Sequence, residues 1–162
     1  MKEQESQVQP ASDDGTSSSK SKPHPFWRWF WLSFLVGSLA YAWHSFYVPS
    51  NDVDWADDIT SARKTAIESG KPMLMFFTAE WCVPCRIMKR EVFADPEVMT
   101  KINANVIPVM IYEGEPGANE AFKQYNVKGT PITILTDSQG EVIDYAVGGI
   151  DKAEFLKLLN KG

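Results

Sequence analysis

Two cysteines placed two residues apart are the side chains best suited to chemistry. Cys82 and Cys85 are the only cysteines in the chain of 162 residues. The apolar run 73–77 precedes them, and apolar residues at helical spacing follow them, which predicts a strand, the C-x-x-C motif and then a helix. A cysteine at a helix start meets unpaired backbone N–H groups and the positive end of the helix dipole, which stabilise a thiolate and lower the thiol pKa. We therefore expect Cys82 to attack disulfides and Cys85 to close a disulfide with it.

Other uses of the two cysteines fit the sequence less well. A purely structural disulfide over so short a loop would constrain the unfolded chain little. A zinc site usually needs four ligands, and no second pair of ligands follows the motif. His24 and His44 lie far upstream of it. We expect redox chemistry and no metal, and an inert cysteine pair stays open as an alternative.

Composition and charge exclude one class of function. The net charge is -5 at pH 7, and no basic stripe appears along the chain. Nucleic-acid binding requires clustered lysine and arginine, so no nucleic-acid partner is expected. The length is typical of one folded domain.

The N-terminal third changes character abruptly. Residues 1–25 are polar and predict a disordered tail. Residues 26–48 are apolar and aromatic, which predicts a transmembrane anchor in a lipid bilayer, followed by a linker at 49–55 and a domain at 56–162. Basic residues precede the apolar segment and aspartates follow it. By the positive-inside rule, the N-terminus is expected in the cytoplasm and the domain in the periplasm, with one pass through the inner membrane.

Two alternatives for residues 26–48 stay open. The Ala40-Tyr41-Ala42 sequence fits a cleavage site, so the segment could be a secretory signal peptide. A buried helix of a soluble domain is the other alternative. Both the anchor and the signal peptide place the cysteines where disulfides persist.

The remaining pattern predicts a small α/β domain. Hydrophobic periodicity and turn residues give the order α-β-α-α-β-α-β-β-α. The predicted helices cover 57–69, 82–93, a short segment begun by Asp95 and Pro96, 119–125 and a last helix capped by Asp151. The predicted strands are 73–77, 106–112, 132–135 and 142–145. Helices on both faces of a mixed sheet follow from this order.

Three segments resemble thioredoxin-like proteins. They are Ala79-Glu80-Trp81-Cys82-Val83-Pro84-Cys85, Tyr125-Asn126-Val127-Lys128-Gly129-Thr130-Pro131, and Gly140-Glu141-Val142 leading to Gly148. The subgroup that contains the C-terminal domain of the disulfide reductase DsbD is the most similar in appearance. The resemblance covers about two thirds of the chain and implies a three-layer sandwich with a mixed central sheet, here preceded by one transmembrane helix.

The resemblance also implies roles for single residues. Cys82 would be the exposed nucleophile and Cys85 the buried resolving thiol. Pro131 would be a cis-proline that leaves the backbone of Thr130 free to pair with an extended substrate. Trp81 would line the substrate surface. The alternatives are an ordinary turn at Thr130-Pro131 and simple packing of Trp81.

One position departs from the family. Thioredoxins carry a buried aspartate six residues before the first cysteine, where this chain has Phe76. The proton acceptor of the resolving thiol is therefore missing from its usual place. Glu80 and Glu91 are candidate replacements in a proton relay, and the alternative is that both are surface acids.

These features predict an extracytoplasmic thiol–disulfide oxidoreductase that reduces protein disulfides. No cofactor is expected, because the two sulfurs carry both electrons. Protein disulfides would be the substrates, and a membrane electron donor of the DsbD kind would be the partner. The alternatives are a disulfide oxidase or isomerase, and a non-catalytic binding or chaperone module.

Overall fold

The computed structural model describes residues 25–162, and the predicted tail lies, apart from Pro25, outside these residues. The helices are α1 (Pro25–Phe46), α2 (Ile59–Ser69), α3 (Val83–Glu91), α4 (Pro96–Asn105), α5 (Ala118–Gln124) and α6 (Lys152–Leu159). The strands are β1 (Met73–Thr78), β2 (Ile107–Tyr112), β3 (Ile132–Thr136) and β4 (Val142–Val147). From α2 onward the predicted order of elements is confirmed.

The four strands form one mixed sheet in the order β2-β1-β3-β4. β1 runs parallel to β2 and antiparallel to β3, and β4 pairs antiparallel with β3. All six residues of β1 are buried, as its unbroken apolar sequence predicts for a strand covered on both faces. The sequence therefore places β1, which leads to the cysteines, at the centre of the sheet.

Helices cover both faces of the sheet, which confirms the α/β sandwich. On one face, α3, α4 and α6 pack against Leu74, Phe76 and Leu135; we call this the α3 face. On the other face, α2 and α5 pack against Met75, Phe77 and Ile134. Alternate residues of each strand thus enter opposite cores, as a period of two requires.

Side-chain caps fix where the helices begin. Asp58 starts α2 with a capping box, Asp95 accepts hydrogen bonds from Glu97 and Val98 at the start of α4, and Asp151 starts α6 with Glu154. Two of these caps, Asp95 and Asp151, were expected from the sequence. The caps set the register of the helices that carry or support the motif.

Part of the predicted linker belongs to the packed domain. Val53 is buried, and the Trp55 ring lies edge-on to Phe93 with ring centroids 5.3 Å apart. The amide of Asn103 donates to the carbonyl of Asp52 at 2.8 Å. Ala56 forms an isolated parallel bridge with Val109. Residues 52–56 of the chain, most of them within the predicted linker, therefore contact the packed domain.

Helix α1 corrects the prediction of a transmembrane helix at residues 26–48. The segment forms a helix of 22 residues. Within residues 25–162, however, no helix is long and apolar enough to cross a membrane. Tryptophan, tyrosine, serine and histidine interrupt the aliphatic residues of α1, so its length suffices and its apolar character does not.

Candidate active site

The cysteine motif lies where the central strand meets the helix that follows it. β1 ends at Thr78, and a turn closes when the Cys82 N–H donates to the carbonyl of Ala79 at 3.1 Å. Cys82 is the N-cap of α3, and Pro84 stands in the first turn, where its missing N–H costs no helical hydrogen bond. The predicted order of strand, motif and helix is thus the observed one.

The two cysteines form a disulfide, with their Cα atoms 5.3 Å apart. The backbone N–H of Cys85 donates to Sγ of Cys82 at 3.2 Å. The Cys82 sulfur therefore occupies the place of an N-cap oxygen, directed at an otherwise unpaired N–H group of the helix start. When the disulfide opens, the same N–H and the helix dipole are placed to stabilise negative charge on that sulfur.

Both cysteines are buried in the disulfide form. Cys82 is 1% exposed and Cys85 is fully buried, within the core of the α3 face. The expectation of an exposed Cys82 is therefore wrong for this form, in which the residue belongs to the buried core. The neighbours on the surface are Trp81, 70% exposed, and Val83, 53% exposed.

Trp81 stands on the surface beside the motif. Its Nε1 donates to Oε2 of Glu113 at 3.3 Å, which holds the ring without burying it. Simple packing in the core, the alternative interpretation, does not describe this side chain. A large, exposed aromatic ring next to a reactive pair is well placed to contact another protein.

Two depressions are lined by residues that the sequence analysis connects with the substrate surface. A cavity of about 580 Å³ is lined by Pro84, Ile87 and Glu91 of α3 and by Gly149 and Lys152 on the approach to α6. A second, of about 400 Å³, is lined by the segment Lys128–Ile132 together with Val147 and Gly148. The first depression includes Pro84 of the motif, and the second includes Thr130 and Pro131.

The Thr130–Pro131 peptide bond is cis. Pro131 is buried, and its carbonyl accepts a hydrogen bond from the N–H of Gly148 at 2.9 Å. Thr130 is half-buried, and its hydroxyl has no hydrogen-bond partner among the described residues. These two residues line the second depression, on the side where the resemblance expects substrate.

The residues proposed for a proton relay lie on the surface. Glu80 and Glu91 are both exposed, and Glu91 pairs with Arg90 at 3.0 Å. The carbonyl of Glu80 accepts a hydrogen bond from Nη1 of Arg86 at 3.1 Å. Neither carboxylate has a described contact with the cysteine pair, so the structure does not bring them to Cys85.

Phe76 fills the place of the expected acid with an aromatic ring. It is fully buried, and its ring lies edge-on to Phe93 with centroids 4.8 Å apart. Among residues 25–162, the buried polar or charged side chains are Thr78, Thr133 and Thr136. No carboxylate is therefore buried next to the disulfide in the described part of the chain.

Sequence reasoning missed two polar residues near the motif. Thr78 and Thr133 are fully buried in β1 and β3, and neither hydroxyl has a described partner. A threonine in a strand is ordinary, because its branched side chain suits a pleated sheet. The available signal was the placement of a hydroxyl in otherwise apolar central strands.

A cluster of three charged side chains, Lys152, Asp95 and Glu97, adjoins the first depression through Lys152; we call it the Lys152 group. Nζ of Lys152 lies 2.9 Å from the Asp95 carboxylate and 2.9 Å from Oε2 of Glu97. Its hydrogen bonds lower the pKa of both carboxyls, and the hydrogen bonds from Asp95 and Glu97 raise the pKa of Lys152. This group ties the start of α4 to the start of α6.

Comparisons with known proteins agree with this geometry. DsbD of Ralstonia nicotianae, a thiol:disulfide interchange protein, is 32% identical over 107 residues, which are 64% of this chain and 17% of that protein. The chain therefore spans about 17% of the length of that curated relative. A thioredoxin from Thermus thermophilus is 25% identical with a TM-score of 0.60, covering 67% of this chain and 85% of its own.

The C-terminal domain of DsbD from Neisseria meningitidis, in its oxidised form, shares the fold. It has a TM-score of 0.52 and 23% identity, and the match covers 66% of this chain and 97% of that domain. The family model described as a thioredoxin-like domain matches residues 59–162, from the first residue of α2 to the C-terminal residue. With the motif at the start of α3 and this match, the chain belongs to the thioredoxin-like family.

Proposed function

We propose that this chain is a thiol–disulfide oxidoreductase that reduces disulfides of other proteins through Cys82 and Cys85. One observation carries the proposal: the Cys82 sulfur is the N-cap acceptor of α3 and is bonded to Cys85 in a disulfide. Likeness to a thiol:disulfide interchange protein supports the same chemistry.

The reaction uses the two sulfurs in turn. In the reduced protein, the Cys82 thiolate attacks a substrate disulfide and forms a mixed disulfide, and one substrate sulfur leaves as a thiolate. The Cys85 thiolate then attacks Sγ of Cys82, and the second substrate sulfur leaves. The substrate gains two electrons and the enzyme disulfide is restored.

The substrate surface in this proposal is the exposed rim around the motif. Trp81 provides an apolar contact, and the segment Thr130–Pro131 provides backbone for an extended substrate strand. The depressions lined by Pro84 and by Pro131 support this placement, since they leave space next to both residues.

Replacement of each cysteine tests the proposal. Cys82→Ser should abolish reduction of insulin disulfides by dithiothreitol-regenerated protein. Cys85→Ser should accumulate mixed disulfides, visible as adducts on non-reducing gels, because no resolving thiol remains. Activity retained in the Cys82→Ser variant would overturn the proposal, and unchanged binding of partners without turnover would favour the binding-module alternative.

The direction of the reaction is proposed to be reduction. With Pro84 between its cysteines, the motif resembles that of reducing thioredoxins, which supports this direction. The equilibrium potential of the Cys82–Cys85 pair in a glutathione or dithiothreitol buffer is then expected near that of thioredoxin, about -270 mV. A value near that of a strong oxidant, about -120 mV, would favour the oxidase alternative.

A steady reductase needs a source of electrons, because the pair holds only two. We propose a partner protein dithiol of the DsbD kind, which reduces the disulfide by the same exchange. Location of the domain outside the cytoplasm remains a prediction. It can be tested by fusing to the C-terminus a phosphatase that is active only where disulfides form. Phosphatase activity of the fusion would support the predicted location.

A further inference from the structure

Two buried threonines close to the motif have hydroxyls without partners. Thr78 and Thr133 are each fully buried, and Oγ1 of neither makes a hydrogen bond within residues 25–162. Thr136 is equally buried, but its hydroxyl donates to the carbonyl of Asp137 at 3.0 Å. Since an unpaired buried hydroxyl is unfavourable, its retention at two neighbouring positions calls for a partner in another state of the protein.

Strand register places both hydroxyls on the α3 face. Thr133 is the direct antiparallel partner of Phe76, and residues opposite each other in such a pair share a face. Thr78 lies two residues after Phe76 in β1, so it lies on the same face. Phe76 belongs to the buried cluster that contains Cys82 and Cys85. Both threonine side chains therefore face the same core as the cysteine pair.

Charged groups on this face are nearer the solvent. The titratable side chains of the surrounding elements are all at least partly exposed. They are Glu80 before α3, Arg86, Lys89, Arg90 and Glu91 in α3, Asp95, Glu97 and Lys101 at and in α4, Tyr112 in β2, Asp144 and Tyr145 in β4, and Asp151, Lys152, Glu154 and Lys157 at and in α6. Lys89 donates to the Tyr112 hydroxyl at 2.9 Å. The threonines are thus the buried polar side chains that this face offers to Cys85.

We propose that the hydroxyls of Thr78 and Thr133 donate hydrogen bonds to the Cys85 thiolate once the disulfide is open. In the disulfide form the sulfur carries no charge, which agrees with the unpartnered state of both hydroxyls. In the reduced form they stabilise the thiolate directly, at a site where Phe76 leaves no carboxylate to accept the proton of the thiol. The inference rests on the proposed function, because only a working resolving thiol needs this stabilisation.

The step balances without a buried base. In the mixed disulfide, the Cys85 thiol releases its proton to solvent and becomes a thiolate. Its electron pair forms the bond to Sγ of Cys82, the bond from Cys82 to the substrate sulfur breaks, and that sulfur leaves as a thiolate that takes a proton from solvent. The threonines gain and lose no proton, and as positioning residues they hold the anion.

The test measures the Cys85 pKa in the full reduced chain, from the pH dependence of its ¹³Cβ chemical shift. Thr133→Val keeps the shape of the side chain and removes the hydroxyl. We expect it to raise the Cys85 pKa by about one unit and to slow decay of the mixed disulfide at pH 7 about tenfold, since the thiolate fraction falls tenfold per unit. Thr133→Ser keeps the hydroxyl and should restore both values.

Thr136→Val is the matched control, because it makes the same change in the same strand at the same burial on the opposite face. It should leave the Cys85 pKa unchanged. Equal pKa values in the Thr133→Val and Thr136→Val variants would overturn the inference, as would a serine variant that behaves like valine. If Thr133→Val does not fold, Thr78→Val decides by the same measurement.

The proposed role of the threonines and the proposed disulfide reduction can be refuted by different results. The Cys85 pKa is measured without substrate, so it tests the threonines even if the chain reduces no protein disulfide. Disulfide reduction by the Cys82→Ser variant would refute the proposed function while leaving the pKa comparison intact.

Discussion

Phe76 shows how one residue changes the chemistry of its neighbours. Its ring replaces the acid that the family resemblance leads one to expect, and the surrounding core is aromatic rather than charged. Glu80 and Glu91, the candidate replacements, lie on the surface. The phenylalanine at position 76 is visible in the sequence. The burial of the Thr78 and Thr133 hydroxyls and the face on which they lie are visible only in the structure.

Substitution of Trp81 tests the role of a single residue. Because the ring is 70% exposed, Trp81→Ala should change the free energy of unfolding by no more than about 0.5 kcal/mol. If the ring contacts substrate, KM for a protein disulfide should rise about tenfold, equivalent to about 1.4 kcal/mol of lost contact. Urea unfolding and steady-state kinetics measure the two effects.

The control for Trp81 is Ile67→Ala, which removes an apolar side chain of α2 that is 53% exposed. Ile67 lies on a helix of the opposite face, so KM should not change. A rise in KM with both variants would mean that Trp81 makes no specific contact.

Between elements, aromatic side chains join the sheet to the helices of the α3 face. The Phe93 ring lies 5.3 Å from Trp55, 4.8 Å from Phe76 and 5.3 Å from Phe155, measured between centroids. These contacts connect the segment before α2, the central strand and α6 through one residue that follows α3. Sequence periodicity predicted the helices, whereas these ring contacts of Phe93 join residues that lie far apart in the sequence.

Phe93→Ala should therefore destabilise the whole domain. Truncation of a fully buried aromatic side chain typically lowers the free energy of unfolding by about 3–5 kcal/mol, and Phe93 is fully buried. Urea denaturation monitored by circular dichroism measures the loss. Val147→Ala, at a position 69% exposed, should cost at most about 0.5 kcal/mol, and equal losses in both variants would contradict the assigned role.

The Lys152 group predicts a pH dependence of the contact between α4 and α6. The pKa values of Asp95 and Glu97 are lowered by hydrogen bonds from Lys152, so the folded state binds protons less readily than the unfolded state. Their stabilisation is present above the ordinary carboxyl pKa of about 4 and is lost as the pH falls through the lowered values. For Lys152, whose pKa is raised, the stabilisation is present below about pH 10 and is lost above it.

Lys152→Gln should weaken this pH dependence, although Lys101 still lowers the pKa of Glu97 and backbone N–H groups still lower that of Asp95. The Tm of this variant should be lower than that of the wild type at pH 7, and the difference should shrink as the pH falls below about 4. Lys64→Gln is the control, since Lys64 makes only a loose pair with Glu68 at 3.9 Å. A difference that stays constant from pH 7 to pH 2 would show that Lys152 acts through packing alone.

For the whole molecule, the packed domain begins earlier than the sequence suggests. Val53 and Trp55 are part of the core, and Asp54 donates its N–H to Oδ1 of Asn103 at 3.0 Å. A chain that begins at residue 57 should therefore have a lower Tm than one that begins at residue 49. Equal Tm values would contradict the packing of residues 53–55, and Trp55→Ala in the longer chain separates the ring from the backbone contacts.

The outcome of sequence reasoning depends on the range over which each signal acts. Local signals, such as Asp95 before Pro96, Asp151 before α6 and the apolar run of β1, predicted the elements and their order. The length and apolar run of residues 26–48 predicted a helix, which forms over residues 25–46, whereas no helix within residues 25–162 meets the length and apolar character of a membrane span. The burial of Cys82 depends on core residues that are distant in the sequence, such as Phe155, which a local pattern does not reveal.

The position of β1 in the sheet has a consequence for folding of the chain during its synthesis on the ribosome. Its two neighbours in the sheet, β2 and β3, begin at Ile107 and Ile132, which are 34 and 59 residues after Met73, the first residue of β1. Until those segments have emerged, the most apolar stretch of the domain has no strand to pair with and its cysteines have no core around them. Nascent chains halted before β3 should accordingly rely on chaperones and expose both thiols to oxidants.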